Sequence, residues 1–408
     1  MKNANRLIAA IAVFLTLISV SFVFAQDWTQ WRGTNRDGKV AGFEAPVQWP
    51  SEMTQKWNVS VGSGDATPAL VDNKLYVFTR QSADEVILCL DATSGKELWQ
   101  NRYATQSVSG PASSHPGPRS SPTVSDGMII TFGACGMLSC LEKDTGKVVW
   151  RHDAFSKGVP QYFTGMSPIV VDNICVAHLG GNDTGELIAF DLTTGKEKWK
   201  WTGDGPAYGS PIMLTVEGTK QIVVQAEKNI VSIAVDDGRQ LWQVPTSAQR
   251  RFYNSATPIV DGHTVIFTGQ GQGTRAVTVQ KQGNDFTVKE LWRNEELGTA
   301  YNTPVLKDGL LFGLSDRGRL YCMNAGTGQT AWADENSHPN FGALLDAGSV
   351  ILALPSDSEL ISFTPSGKGY EELARIKVSD TPVYAHPVIA GNRIYVKDEA
   401  TLTMWTIE

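Results

Sequence analysis

Five tyrosines stand three to six residues ahead of a proline that opens an apolar strand: Tyr162, Tyr208, Tyr253, Tyr301 and Tyr384. His115, Arg119, Asn254, Asn302, Asn340 and His386 occupy the same stretches. Aromatic rings beside hydrogen-bonding groups suit stacking on a sugar or a planar ligand whose polar edges are then read. The alternative is that a tyrosine at a strand entrance packs between elements and hydrogen-bonds a loop. A second polar set lies in turns between apolar strands: Arg80, His178, Asn182, Asp183, Glu227, Lys228, Gln270, Gln272, Asp316, Arg317, Asp398 and Glu399. His178 in a Gly-rich turn has the residue type of a base or ligand but no partner nearby in sequence. Asp316 beside Arg317 reads as a surface pair.

Other chemistries lack their motifs. Gly269-Gln270-Gly271-Gln272-Gly273 has neither the Lys-Ser/Thr of a phosphate loop nor a following helix. No Gly-x-Ser-x-Gly elbow or His-Glu-x-x-His helix is present. Of five cysteines, Cys89, Cys140 and Cys322 share one repeat position inside apolar strands, where another copy carries Ala189. That position calls for a small buried residue. Cys175 also lies in a strand, and only Cys135 sits in a turn, from which it can reach Cys140 across a hairpin. An odd count with mismatched spacing supports neither a disulfide framework nor a zinc site, so no metal ligands are assigned.

The loops are held by a repeat. Residues 189–199 read Ala-Phe-Asp-Leu-Thr-Thr-Gly-Lys-Glu-Lys-Trp, and the same frame ends in Trp99, Trp150, Trp242 and Trp332, with a degenerate copy ending in Trp292. Each unit opens with a small residue and proline: Thr67-Pro68, Ser121-Pro122, Ser167-Pro168, Ser210-Pro211, Thr257-Pro258, Thr303-Pro304 and His386-Pro387, with Gly342-Ala343 in a degenerate slot. Proline is tolerated at the first residue of a strand because it can sit outside the ladder. Four short strands per repeat of about 45 residues describe a propeller blade. β-branched residues and Gly turns exclude helical repeats.

The last unit ends one strand short. The missing piece is expected at residues 54–60, whose Trp57 precedes the first proline start. Pairing the two ends closes the ring and removes exposed edges. The expectation is an all-β, eight-bladed propeller over residues 54–408, or seven blades if 341–374 is not a blade. Residues 26–53, rich in aromatic and Arg residues (Trp28, Trp31, Arg32, Arg36), are expected to pack on one face, with a partner-binding arm as the alternative.

Lys2, Arg6, the apolar run Leu7–Phe24 and Val23-Phe24-Ala25 describe a signal peptide cleaved after Ala25. An uncleaved anchor is the alternative, but polar sequence follows at once and no second long apolar run exists. The expected product is periplasmic or secreted, monomeric and without a stable membrane span. The formal charge of −7 and the absence of Lys-rich runs argue against nucleic acid.

The frame at 189–199 resembles the tryptophan-docking repeat of pyrroloquinoline-quinone dehydrogenases. It is equally similar to the wider quinoprotein-like propeller family, which includes the scaffold lipoprotein of the outer-membrane barrel-assembly machinery. The dehydrogenases imply a quinone over the axis, calcium, a catalytic aspartate and a pair of adjacent cysteines. This chain has no Cys-Cys pair, and no cysteine follows its signal as the lipoprotein requires. Neither set of functional residues maps onto it, so no catalytic residue is assigned. Two readings follow. The first is a non-catalytic exported propeller binding a partner protein or glycan through the tyrosine-lined funnel, with no cofactor. The second is an oxidoreductase acting on alcohols or sugars with pyrroloquinoline quinone and Ca²⁺. Trp57, Trp99, Trp150, Trp199, Trp242, Trp292 and Trp332 are expected to be structural.

Overall fold

The computed structural model describes residues 27–153, 158–246 and 253–407; the signal segment lies outside them. Eight four-stranded antiparallel sheets form the ring. Blade 1 is Ala69–Val71, Lys74–Gln81, Asp84–Asp91 and Glu97–Ala104, and the next six blades repeat this order. The degenerate region is a full blade, running from Gly342–Asp346 to Glu372–Lys377. Blade 8 is completed from the other end of the chain. Thr54–Ser60 pairs with Thr401–Thr406, placing Trp57 opposite Met404.

Strand alternation builds the core. In blade 1, Tyr76 and Phe78 point to blade 2 and pack on Ile129 and Leu141, while Leu75 and Val77 point to blade 8. A single sheet would leave one of these faces wet, so each blade needs two neighbours. The first hairpins of several blades carry positive φ at both central residues, as at Asp72 (50°) and Asn73 (60°) or Glu217 (46°) and Gly218 (78°). Such two-residue turns match the twist of antiparallel strands.

The tryptophan frame is an inter-blade joint. Each small residue of the frame faces its own tryptophan across the sheet, as Cys89 faces Trp99, Cys140 faces Trp150, Ala189 faces Trp199 and Cys322 faces Trp332. A register shift follows each pair and turns the indole toward the next blade. There Trp150, Trp199 and Trp292 donate to the carbonyls of Leu192, Val235 and Ala325 at 2.7–2.8 Å. Trp57 and Trp332 make the same bond to Ala92 and Ser366. The turn glycine of the receiving blade lies beneath the ring; a Cβ on Gly195 would stand 2.6 Å from Trp150. Trp242 departs from the scheme and donates to Gln221 of its own blade. Trp99 packs over Gly146, but its Nε1 has no partner among the described residues. All five cysteines are free, and four are buried, consistent with a small-residue slot.

The start motif has a second use. The amide of Thr67 donates to Ser121 Oγ, Ser121 to Ser167, Ser167 to Ser210, Thr257 to Thr303, and His386 to Thr67, at 2.9–3.1 Å. The small residue before proline is therefore a hydroxyl that ties one inner strand to the next around the axis.

Residues 27–43 enter this axis. Trp28 exchanges backbone bonds with Leu70 of blade 1, Thr29 accepts from Val124 of blade 2, and Val40 donates to Asp346 of blade 7. Arg32 donates to the carbonyls of Thr303 and Pro304 in blade 6. Arg36 donates to Ser167, Pro168 and Pro211 in blades 3 and 4. Trp31 donates to Thr257 of blade 5 and packs on His386 of blade 8. One short segment thus contacts every blade. Both guanidinium groups are buried, and desolvation lowers them to about 10 for Arg32 and about 9 for Arg36, still cationic at neutral pH.

Candidate functional site: an aromatic cup on the axis

The loops that enter the inner strands converge at one end of the axis around a cup of about 390 Å³. Its wall contains Tyr162, Tyr208, Tyr253, Tyr301 and Tyr384, all five of the tyrosines singled out by their spacing. His115, Arg119, Asn302 and His386 also line it. Trp31, Asp65 and Phe341 line it as well, although their sequence positions did not mark them as site residues. Phe341 had a signal: it follows Asn340 in the slot where Tyr301 precedes Asn302. Trp31 had none, because its place depends on the segment threading the ring.

The rings form two groups. Tyr162 meets Tyr253 at 4.9 Å between centroids and Tyr208 at 6.2 Å, both edge-on. The phenols of Tyr253 and Tyr162 lie 3.3 Å apart, and Tyr208 accepts from the Tyr162 amide at 3.1 Å. Across the cup, Tyr301 stacks on Phe341 at 4.0 Å, Phe341 meets Tyr384 at 5.4 Å, and Tyr384 meets His115 at 4.7 Å. Edge-on and stacked contacts of this kind hold ring orientation as well as burying area. Burial pushes the phenols of Tyr208 and Tyr253 up to about 12, so they are neutral donors at physiological pH.

The charged groups sit at one side. His115 Nδ1 is 2.9 Å from Asp65 Oδ2, and this bond raises the imidazole above its usual range. Arg119 Nη2 donates to the carbonyls of His115 (2.8 Å) and Ala112 (3.4 Å), while its Nη1 is buried without a partner. On the floor, His386 is pushed down to about 3 by desolvation and then by Arg32, so it is neutral. Asn302 donates to Leu314 at 2.8 Å and leaves its Oδ1 unpartnered.

Asn254, Asn340 and the whole turn set, His178, Asp316 and Arg317 included, lie outside the cup lining. His178 belongs to the strand Ile174–Gly180 rather than to a turn, so its ring points into the sheet packing. Its Nε2 bonds the Asp204 carbonyl at 2.9 Å, and burial lowers it to about 4. Asn254 is buried and braces its loop through the Ala226 carbonyl and Gln272. Asp316 accepts from the Gly271 amide of the preceding blade at 3.0 Å, and Arg317 is exposed. Asp183 pairs with Lys228 at 2.7 Å in the same inter-blade manner.

Among the described residues, no three His, Cys, Asp or Glu side chains gather where a metal ion could be held. Calcium takes six to eight oxygen ligands, several of them carboxylates. The cup offers one carboxylate, Asp65, already bonded to His115. The donor set does not suit calcium.

The chain is 24% identical over 358 residues to the outer membrane protein assembly factor BamB of Burkholderia pseudomallei, covering 85% of each. The crystal structure of BamB from Moraxella catarrhalis superposes with a TM-score of 0.64 at 13% identity, covering 87% of this chain and 99% of that one. The quinohemoprotein alcohol dehydrogenase from Comamonas testosteroni superposes with a TM-score of 0.69 at 15% identity, covering 93% and 80%. These structural likenesses concern the fold alone. Residues 36–131 and 83–334 match one family, and the chain accordingly belongs to the family described as outer membrane protein assembly factor BamB.

Proposed function

We propose that this protein is an exported, non-catalytic propeller that docks a partner protein on the face around the aromatic cup. The observation that carries the reading is the convergence of seven aromatic side chains on the axis, five Tyr with Trp31 and Phe341, without a catalytic constellation among them. Exposed aromatic clusters in a concave surface are the usual anchors of protein recognition. Family membership supports protein assembly rather than glycan binding as the task. Export follows if residues 1–25 act as the signal that their pattern describes.

A photocrosslinking amino acid placed at Tyr253, Tyr301 or Phe341 in the native host tests this. The expected result is a discrete protein adduct from these positions and none from Asp126 or Glu217, which lie in exposed turns on the opposite face. Adducts from the opposite face alone would move the docking surface away from the cup.

The propeller of the quinohemoprotein dehydrogenase keeps an oxidoreductase as the second reading. Its weakness is the lone carboxylate of the cup. Adding pyrroloquinoline quinone with Ca²⁺ and finding neither a thermal shift nor dye reduction with alcohols or sugars would remove it.

A further inference from the structure

The cup is blind. Trp31, carried by the segment that fills the axis, closes its floor against His386 with 4.5 Å between ring centroids. The cup is therefore entered from the face alone. Its volume of about 390 Å³ falls at the small end of ligand cavities, which run from about 300 to 1,000 Å³. That is room for one substituted ring, with aromatic faces and edges on both sides to receive it.

The polar side of the cup is asymmetric. Arg119 carries a full charge, and among the described residues no carboxylate pairs with it directly. Asp65, the carboxylate of the lining, is committed to His115. Arg119 instead leans on two carbonyls through Nη2, and its buried Nη1 has no partner among the described residues. A guanidinium that lines a partly desolvated cavity without a carboxylate partner is suited to receive one. His115, adjacent to it, offsets the charge of Asp65 when protonated, so that no net negative charge opposes an anion at Arg119. The groups facing His115 are Asp65, Arg119, Glu399 and the ring of Tyr384.

We propose that the cup binds an aromatic ring bearing a carboxylate, with the ring held between the tyrosine groups above Trp31 and the carboxylate against Arg119 and His115. This rests on the reading that the cup's face is the docking face. It adds the chemistry that face selects. Two sources present such a group: a free aromatic acid, and the last residue of a polypeptide with an aromatic side chain and a free terminus.

The full-length processed protein is titrated with N-acetyl-L-phenylalanine, with a ten-residue peptide ending in Phe, and with C-terminally amidated versions of both. Binding is read by calorimetry and by the fluorescence of Trp31, using Trp31→Phe as the control that silences the optical signal. Saturable binding of the acids, at least tenfold weaker for the amides, is expected. Tight binding of the free acid assigns a small-molecule site, and preference for the peptide assigns a chain end; either supports the shared chemistry. Arg119→Gln should weaken the acids about tenfold while leaving the amides unchanged, a split that loss of folding would not produce. Affinity for the acids should fall as pH rises through the His115 titration, and His115→Gln should flatten that dependence. Equal binding of acid and amide, or no saturable binding of any probe, would overturn the proposal. Funnel-face crosslinks that persist in that case leave the docking reading intact, whereas their loss with acid binding retained defeats docking alone.

Discussion

Three histidines with different surroundings report on the same pH range in opposite directions. His178 and His386 are buried and held neutral, near 4 and 3 respectively, by desolvation. An unfolded chain would protonate both near 6.5, so it binds more protons than the folded state as pH falls below that value. Their contribution therefore weakens from about pH 6.5 downward and levels off below about 3 to 4. His115 runs the other way. Its bond to Asp65 raises it, so its contribution is full below about 6.5 and is lost as pH rises through the raised value. We expect the double substitution His178→Asn, His386→Asn to flatten the acid limb of stability, measured as urea midpoints between pH 3 and 7. An unchanged acid slope would mean that carboxylates alone set it. His115→Gln should leave that limb in place and remove a decline on the alkaline side.

Among the elements, the Thr-Gly-Lys turn and its tryptophan form the repeated joint, and glycine has two separable reasons to be there. Gly195 combines a φ of 69° with an indole 2.6 Å from where a Cβ would sit, whereas Gly218 has a φ of 78° and open space. Gly218→Ala should cost about 1–2 kcal/mol from backbone strain alone. Gly195→Ala should cost about 2–4 kcal/mol, because overpacking against Trp150 is added to the strain. Chemical denaturation of both variants checks the difference, and equal costs would show that the indole yields freely. The frame was legible in the sequence because it is eleven contiguous residues, whereas the surface on which its indole docks comes from the next blade. Its exception was not legible. Trp242 reads like the other copies, yet Gln221 in its own blade captures the indole N–H.

In the molecule as a whole, the ring is closed twice, once by strand pairing and once by the segment through its axis. Ile407 lies beside Asn392, and Asp27 lies beside Asp72, both at first hairpins of neighbouring blades. A circular permutant joining residue 407 to residue 27 through a short Gly/Ser linker, reopened between Gly262 and His263, is therefore expected to fold. Its melting temperature should stay within a few degrees of the parent, since compact domains with adjacent ends tolerate permutation. Aggregation of the permutant would show that closure at blade 8, rather than closure as such, directs assembly. The aromatic cup depends on the same architecture. Tyr162, Tyr301 and Tyr384 come from different blades, and the ring alone brings them to one axis.

Strand order and the closing role of residues 54–60 were determined by the chain itself, because each rests on a local signal: a proline start, a two-residue turn, or an indole a fixed distance past a glycine. The loop tyrosines were recognisable for the same reason. The sequence admits seven or eight blades, since Gly342-Ala343 lacks the proline, and the structure decided the number by forming a full blade there. The tertiary structure decided which side chains share a surface. It drew Trp31 and Phe341 into the cup and took His178 out of it, because His178 lies inside the strand Ile174–Gly180 and is buried in the packing there. It also committed Asp65 to His115 and left Arg119 without a carboxylate. Arg32 and Arg36 reach carbonyls 131 to 272 residues away, a distance over which no local pattern can register a contact.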